Sequence, residues 1–231
     1  MKLSILMPVY NERDTVKKTI QRINDIDPNF NYEIIIVDDY STDGSRLILS
    51  RIKQKNIKKV FHKKNMGKGA AIKTALHRAT GDIIIIQDAD LEYHPKEYPK
   101  LIEPILKGKA KVVYGSRFLK KDVLSKQKSG MLLHFIGNKA LSFIISILYG
   151  SWITDMETGY KVFKSEVLKR ITISSNRFDF EPEITAKLLK KKIKILEIPI
   201  NYASRNYQEG KKITWKDGIR ALYIMVKYRL F

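Results

Sequence analysis

The feature that most constrains the fold of this 231-residue chain is a repeated alternation of short apolar runs with helical patterns. The runs LSILMPVY, YEIIIVDD, IKKVFH, DIIIIQDAD and AKVVYGSR have the length of strands, and helical patterns lie between them. Strands that alternate with helices in this way form a parallel sheet with helices on both faces. The unbroken runs IIIV and IIII fit strands that are covered on both sides. We therefore predict one α/β domain, whose second half, from about residue 119, adds irregular and amphipathic pieces.

Basic residues outnumber acidic ones, with 44 Lys and Arg against 24 Asp and Glu and a formal net charge of +20. Such an excess favours anionic partners, namely nucleic acid, an acidic membrane surface or phosphorylated substrates. Lysines that only solvate helix faces explain many of these charges equally well. The absence of cysteine excludes disulfides and thiolate metal sites. The start MKLSILMPVYNER lacks the apolar core of ~7–15 residues that a signal peptide needs, so we expect a cytoplasmic protein.

Polar residues concentrate directly after three of the predicted strands, in the segments PVYNE, DDYSTDG and DADLE. The carboxyl ends of parallel strands share one edge of a sheet, and ligands bind in the loops gathered there. A single Asp after a strand is commonly a helix N-cap, and Asp43-Gly44 has the chemistry of an ordinary turn and cap. Asp38 and Asp39 need another explanation. Three acidic loops at one edge therefore indicate a ligand site.

The segment DADLEYHP follows the run IIII without a break, where packing gives no reason for carboxylates. Alternate residues of an extended segment point the same way, so Asp88, Asp90 and Glu92 are expected to converge on one cation. Oxygen ligands suit Mg²⁺ or Mn²⁺, and Mg²⁺ usually takes its other ligands from water and substrate phosphates. The spacing therefore predicts a metal site that binds a diphosphate, with capping of the next helix as the alternative.

Seven segments, in a fixed order along the chain, carry a resemblance to a known family: ILMPVYNE, IIIVDDYSTDGS, NMGKGAA, GDIIIIQDADLEYHP, VVYGSRF, TDMETGYKVF and EIPINYASRNYQEGKKI. The chain resembles family-2 glycosyltransferases of GT-A fold, and among these the polyprenyl-phosphate sugar synthases of the dolichol-phosphate mannose synthase type. The resemblance implies a Rossmann-like, mainly parallel sheet with helices on both faces and amphipathic interfacial helices. It implies a single domain over residues 1–231, with a nucleotide-sugar-binding half (1–118) and an acceptor and membrane-facing half (119–231).

The resemblance also implies roles for individual residues. The loops after the first two strands are implied to contact the nucleotide, through Pro8, Tyr10, Glu12, Val37 and Asp39. The DAD loop is implied to bind the metal and the donor diphosphate, through Asp88, Ala89, Asp90 and the position of Glu92, which is commonly Gln in the mannose synthases. Arg205 and Lys211 are implied to lie near phosphates of the nucleotide sugar. The implied catalytic residues are Asp90, Arg117 of the G-S-R motif, and Asp155 of TDMETGY.

Each of these residues also has an ordinary structural explanation. Pro8 and Val37 would serve as backbone determinants, and Tyr10 as a core residue. On so basic a chain, Arg205 and Lys211 would be surface cations. Asp155 is implied to orient the acceptor, with a role as general base left open.

The activity that the resemblance implies is the inverting transfer of a hexose from a nucleotide sugar, of the GDP-mannose or UDP-glucose type, to polyprenyl or dolichyl phosphate, with Mg²⁺ or Mn²⁺ as cofactor. A second interpretation is a glycosyltransferase whose acceptor is a saccharide or a cell-surface polymer. A third is a protein that binds nucleic acid through its +20 charge. It ranks last because three acidic loops would repel a phosphate backbone, so no nucleic-acid partner is expected.

The segment GMLLHFIGNKALSFIISILYG, residues 130–150, raises the question of a membrane. His134, Asn138 and Lys139 interrupt it, and a spanning helix needs about 20 mostly apolar residues. It is either a buried core helix or an interfacial helix approached by the cations Lys120, Lys121, Lys126 and Lys128. The resemblance favours the second, and so a peripheral position on the cytoplasmic face of a membrane with anionic lipid. The basic, aromatic segment WKDGIRALYIMVKYRLF is a second candidate, and a membrane-anchoring protein partner is left open.

Overall fold

A computed structural model describes residues 1–26, 31–119, 132–205 and 215–231 of the chain. The strands and helices alternate over the first half, as predicted, and a short 3₁₀ turn at Pro95–Glu97 leads into the fourth helix. In chain order the elements are β1 (Leu3–Val9), α1 (Val16–Asn24), β2 (Tyr32–Asp38), α2 (Ser45–Ser50), β3 (Ile57–Phe61), α3 (Lys68–Leu76), β4 (Ile83–Ile86), α4 (Tyr98–Leu106), β5 (Val112–Ser116), α5 (Leu132–Tyr149), β6 (Lys161–Lys164), α6 (Ser165–Lys169), α7 (Phe180–Lys190), β7 (Ile195–Pro199) and α8 (Trp215–Leu230).

The described strands form one seven-stranded sheet in the order β3-β2-β1-β4-β6-β5-β7. β6 is antiparallel to its neighbours β4 and β5, and the other pairings are parallel. Because β6 runs against the others, the segment that enters it lies at the edge where the parallel strands end. This brings TDMETGY to the same edge of the sheet as the three acidic loops. The predicted mainly parallel α/β sheet is confirmed, whereas β6 and β7 were not among the predicted strands.

Helices cover both faces of the sheet, as the apolar runs predicted. On one face, Ile5 and Ile34 belong to a core formed with α1, α2 and α4. On the other face, Leu6 and Ile35 belong to a core formed with α3, α6 and α7. Successive side chains of a strand therefore enter different cores, which is why these runs are apolar at every position.

Most of the apolar segment 130–150 lies in α5, which packs with α7 and α8 around a third apolar cluster. Ile145 is fully buried in this cluster, next to Met225 of α8. The other side of α5 carries Phe143 and Ile147, whose exposed fractions are 54% and 66%. The core-helix interpretation therefore accounts for only one side of α5. Its predicted flanking cations, Lys120, Lys121, Lys126 and Lys128, lie outside the described residues.

The last helix, α8, lies beside α5 and has the same two-sided character. It buries Ala221, Ile224 and Met225 and exposes Ile219 and Tyr223. The Tyr149 hydroxyl of α5 donates to a backbone carbonyl of α8 at 2.9 Å, which joins the two helices. In the described ranges of the chain, no helix is both long enough and apolar enough to cross a bilayer.

Candidate active site

The loops that follow β1 and β2 are joined by hydrogen bonds into one wall of the site. Asn11, with a positive φ of 51°, donates its backbone N–H to Ser41 Oγ at 3.0 Å, and its Oδ1 accepts from the Thr42 N–H at 2.8 Å. Asp43 accepts from the first backbone N–H of α2 at 2.9 Å, and Gly44 has a φ of 100°. The turn and cap chemistry predicted for Asp43-Gly44 is thereby confirmed.

The DAD segment after β4 turns instead of continuing as a strand. Leu91 has a positive φ of 66°, and Asp90 Oδ1 accepts from the Glu92 N–H at 3.1 Å. The expectation that Asp88, Asp90 and Glu92 alternate along an extended segment is therefore wrong in its geometry. Asp90 nevertheless lies close enough to Asp88 and to Glu92 for both charges to act on it. Burial, followed by the charges of Asp88 and Glu92, raises the pKa of Asp90 to about 7.

A buried ionic network contacts Asp88. The amine of Lys68, from the NMGKG segment, lies 2.9 Å from Asp88 Oδ1 and 3.0 Å from Glu181 Oε1. Lys161 is fully buried and pairs with the other oxygen of Glu181. Burial alone would lower the pKa of Lys68, but the charges of Asp88 and Glu181 outweigh it and raise the pKa. Two lysines thus balance two carboxylates, and Asp88 is held in place by fixed charges.

Gly159, within TDMETGY, packs directly against Asp88. A Cβ at this position would lie 2.4 Å from Asp88 Oδ2, which is too close for any side chain. The Gly159 N–H donates to the Tyr93 hydroxyl at 2.8 Å, so the backbone is held in this close approach. The segment before β6 therefore borders the DAD turn, and only glycine fits at the contact.

Arg205, which follows β7, joins the loop after β1 to the DAD turn. Its guanidinium lies 3.1 Å from Glu12 Oε2 and 2.9 Å from Asp90 Oδ2. Its backbone N–H donates to Glu92 Oε1 at 2.8 Å. Arg205, predicted to lie near phosphates, is thus placed against the carboxylates that were predicted to hold a metal.

The chemistry of this acidic corner fits a divalent cation. Carboxylate oxygens are the donors that Mg²⁺ and Mn²⁺ prefer, and the glycine at 159 leaves no side chain against Asp88. Among the described residues, no group of three or more acidic or histidine side chains is arranged as a complete metal site. An ion held here by Asp88 and Asp90 would therefore need further ligands from a substrate diphosphate or from water.

Arg117 and Asp155 form a buried two-point ion pair between the end of β5 and the segment before β6. Nε and Nη2 of Arg117 donate to the two oxygens of Asp155 at 2.8 and 2.7 Å, and the Arg117 backbone N–H adds a third bond at 2.8 Å. Asp155 is fully buried, and its own N–H donates to Glu197 Oε1 at 3.0 Å. Both oxygens of Asp155 are bonded to Arg117, so Asp155 fixes the orientation of that guanidinium.

Two of the predicted nucleotide-binding residues have clear structural roles. The Val37 side chain is fully buried in the core on the α3 face. Asp39 accepts from His62 Nδ1 at 2.7 Å and from the backbone N–H groups of Met66 and Gly67 at 2.9 and 2.6 Å. Asp39 thereby ties the loop after β2 to the NMGKG turn.

The other predicted nucleotide-binding residues lie at the same edge of the sheet. Pro8 is paired in register with Val37, Tyr10 is 36% exposed, and Ala89 is buried in the DAD turn. Lys211 lies outside the described residues. The structure therefore brings the predicted residues that it describes to one edge, and their contacts with nucleotide stay predictions.

Sequence motifs did not identify Lys68, Lys161 or Glu181 as parts of the site. Lys68 had a weak signal, because NMGKG resembles an incomplete phosphate-binding loop. Lys161 and Glu181 had none. They reach the site only because β6 is inserted beside β4 and α7 packs behind it.

Comparison with known proteins assigns most of this chain to a family. The sequence model described as Glycosyl transferase family 2 matches residues 4–172. A protein of Pyrococcus furiosus named dolichol-phosphate mannosyltransferase is 30% identical over 241 residues, covering 99% of this chain and 64% of that protein. The chain thus spans less than two thirds of that relative. A Methanococcus voltae protein named UDP-N-acetylglucosamine–dolichyl-phosphate N-acetylglucosaminyltransferase is 28% identical, covering 98% of this chain and 95% of that protein.

Solved structures confirm the fold. The glucosyl-3-phosphoglycerate synthase of Mycobacterium tuberculosis, in complex with Mn²⁺, uridine diphosphate and glucosyl-3-phosphoglycerate, matches with a TM-score of 0.72. The sequence identity is 18%, and the match covers 99% of this chain and 79% of that one. At this identity the likeness concerns the fold alone, and the predicted GT-A fold is confirmed.

Proposed function

The chain belongs to glycosyl transferase family 2, and from that premise we propose that it transfers a hexose from a nucleotide sugar to a polyprenyl phosphate, with inversion at the anomeric carbon. The proposed donor is of the GDP-mannose or UDP-glucose type. Relatives whose names include dolichol phosphate or dolichyl phosphate support the choice of acceptor. The two halves of the chain, residues 1–118 and 119–231, would serve the donor and the acceptor respectively.

The observation that carries this proposal is the convergence of paired acidic and basic side chains at one sheet edge. Lys68 pairs with Asp88 of the DAD turn, and Arg205 pairs with Asp90 of the same turn. Arg117 lies at the end of β5, in a separate pair with Asp155. Transfer between two phosphate-bearing molecules requires positive charge at two places, one for the leaving diphosphate and one for the acceptor phosphate. The site offers a cation at each.

At the donor end, Asp88 and Asp90, with Glu92 beside them, are the residues that would hold Mg²⁺ or Mn²⁺. When bound, such an ion supplies Lewis-acid stabilisation of the charge that develops on a leaving diphosphate. Arg205 and Lys211 would add positive charge to the same diphosphate. The nucleotide would lie along the ends of β1 and β2 and the loops after β1, β2 and β4, where the proposed contact residues lie: Pro8, Tyr10, Glu12, Val37, Asp39 and Ala89.

At the acceptor end, Arg117 would bind the phosphate of the lipid, held in orientation by Asp155. A phosphate monoester has its second pKa at about 6, so its oxygen is largely ionised at neutral pH. It therefore needs no strong general base, which is consistent with an Asp155 whose oxygens are bonded to Arg117. The phosphate oxygen attacks the anomeric carbon as the bond to the diphosphate breaks, and the diphosphate leaves with the electron pair. Attack from the opposite side inverts that carbon.

The proposal includes a membrane surface as the place where the acceptor is met. It is supported by the apolar side chains that α5 and α8 expose, among them Phe143, Ile147 and Tyr223. Basic side chains such as Arg220 and Lys227 are exposed on α8, and each adds about 1 kcal/mol of attraction to anionic lipid. Peripheral binding to the cytoplasmic face of a membrane, with or without an anchoring protein partner, is the corresponding location.

The test is transfer from a panel of nucleotide sugars to a short polyprenyl phosphate, with Mg²⁺, with Mn²⁺ and with excess chelator. Wild-type protein should transfer one sugar and lose activity in chelator. Asp88→Ala and Asp90→Ala should lose turnover while remaining folded. Asp82→Ala is the matched control, because Asp82 is exposed at the opposite end of β4. Transfer to soluble saccharides but not to the lipid would refute the acceptor, and full activity in chelator would refute the metal.

A further inference from the structure

Glu157, in the middle of TDMETGY, has a carboxyl oxygen without a hydrogen-bond partner. Its Oε1 is buried, and no group among the described residues donates to it. Buried polar atoms of native proteins are nearly always hydrogen-bonded, because leaving one unpaired costs free energy. Such an atom within a binding site is explained if a ligand supplies the missing partner.

The cations near Glu157 are already bonded to other groups. Lys161 donates to the Met156 carbonyl at 3.0 Å and pairs with Glu181. Arg117 is bonded at two points to Asp155. Burial, and then the nearby charge of Glu181, raises the pKa of Glu157 to about 7, while Lys161 and Arg117 oppose this shift. The carboxyl group is therefore able to accept a hydrogen bond and, in its protonated form, to donate one.

The position of Glu157 in the chain indicates what the partner is. Two residues before it, Asp155 holds Arg117, the proposed contact of the acceptor phosphate. Two residues after it, Gly159 packs against Asp88, at the proposed donor diphosphate. The sugar that is transferred must lie between these two phosphates. A carboxylate oxygen to which no cation is bonded, such as Oε1 of Glu157, would repel a phosphate, whereas sugar hydroxyls both donate and accept hydrogen bonds.

From this placement we infer that Glu157 binds a hydroxyl group of the transferred sugar and so contributes to the choice of donor. The inference rests on the proposed function, because that function defines the two ends between which the sugar lies. It assigns Glu157 to substrate recognition and not to proton transfer in the reaction.

The experiment compares Glu157→Ala and Glu157→Gln with wild type and with Glu166→Ala. Glu166 is the control because it is exposed on α6, at the opposite edge of the sheet. Calorimetry measures the affinity of each protein for the nucleotide sugar and for the matching nucleoside diphosphate, which lacks the sugar. Transfer kinetics use the same sugar and its deoxy analogues, each lacking one hydroxyl. Thermal melting reports whether the variants fold.

Glu157→Ala should weaken nucleotide-sugar binding and kcat/KM by roughly 10- to 100-fold, the loss expected for one hydrogen bond to a carboxyl group. Binding of the nucleoside diphosphate should be unchanged, and Glu157→Gln, which keeps one acceptor and gains a donor, should lose less. One deoxy analogue should be penalised with wild type but carry no further penalty with Glu157→Ala. Melting should not fall, because the buried Oε1 of Glu157 makes no hydrogen bond to the described residues that the substitution would remove.

A lower melting temperature with equal losses for sugar and diphosphate would overturn the inference, since it would mean that Glu157 only supports the fold. Unchanged sugar binding by folded Glu157→Ala would overturn it as well. If wild type binds the nucleotide sugar but does not transfer to polyprenyl phosphate, the proposed acceptor fails while the binding comparison still decides the role of Glu157. If wild type binds no nucleotide sugar, both proposals fail.

Discussion

Removing either side chain of the Arg117–Asp155 pair alone should cost more than half of the stability that is lost when both are removed. Asp155 is fully buried and the Arg117 side chain is only 12% exposed, so neither charge is well solvated once its partner is gone. Breaking such a pair costs ~3–5 kcal/mol. In Arg117→Ala the backbone N–H at 117 still donates to Asp155, so we expect the lower end, about 3 kcal/mol.

The assay is urea unfolding of wild type, Arg117→Ala, Asp155→Asn and the double variant, supported by thermal melting. A loss of about 3 kcal/mol corresponds to a fall of roughly 6–12 °C in Tm for a chain of this size. Arg117→Lys should lie between wild type and Arg117→Ala, because an ammonium cannot reproduce the planar two-point contact. The double variant should lose clearly less than the sum of the two single losses.

Additive losses, within about 0.5 kcal/mol, would refute the reasoning, because they would show that the two side chains do not interact energetically in solution. Lys107→Ala provides the control. Lys107 pairs with Glu103 on the surface of α4, where the two side chains are 57% and 55% exposed. Removing that pair should leave the unfolding midpoint unchanged.

Three further predictions concern pH, packing and the membrane. Burial raises the pKa of Glu33, but lysine partners and hydrogen bonds outweigh it and hold the pKa well below its ordinary 4.5. The difference in unfolding free energy between wild type and Glu33→Gln should therefore become smaller as the pH falls below 4.5, because the carboxylate stays ionised in the folded protein but is protonated in the unfolded chain. Unfolding midpoints of both proteins at pH 7 and pH 3 measure this difference. Gly159→Ala should abolish transfer in a protein that still folds, because its methyl group would have to displace a carboxylate that lies 2.4 Å away; wild-type turnover would contradict the contact. The double variant Phe143→Ser with Ile147→Ser should float less with anionic vesicles, without a lower Tm. Ile145→Ser, at a fully buried site of the same helix, should lower the Tm. Unchanged flotation of the folded double variant would exclude this face of α5 as the membrane contact.

The sequence alone was sufficient for strands β1 to β5 and for the edge of the sheet at which the site lies, but not for β6 and β7. Runs such as IIII are apolar at every position because the side chains on both faces of the strand enter a core. This pattern is a local property of each strand. Loops after parallel strands share an edge whatever the details of packing. The position of the DAD segment and of the G-S-R motif at this edge could therefore be predicted from the sequence. The same motifs also indicated the family that the chain resembles.

The partners of the charged side chains were decided only by the tertiary structure. The sequence placed Arg205 near phosphates, yet in the fold it contacts Glu12, which is 193 residues away along the chain. The partner of Arg117 is Asp155, 38 residues away, in the segment that enters strand β6, whose antiparallel insertion no apolar pattern predicted. With 44 basic and 24 acidic side chains, the sequence permits a great many ion pairs. Which of them form depends on how strands and helices that are distant in sequence pack together, because ionic contacts extend over only a few ångströms and local pattern carries no information on that scale.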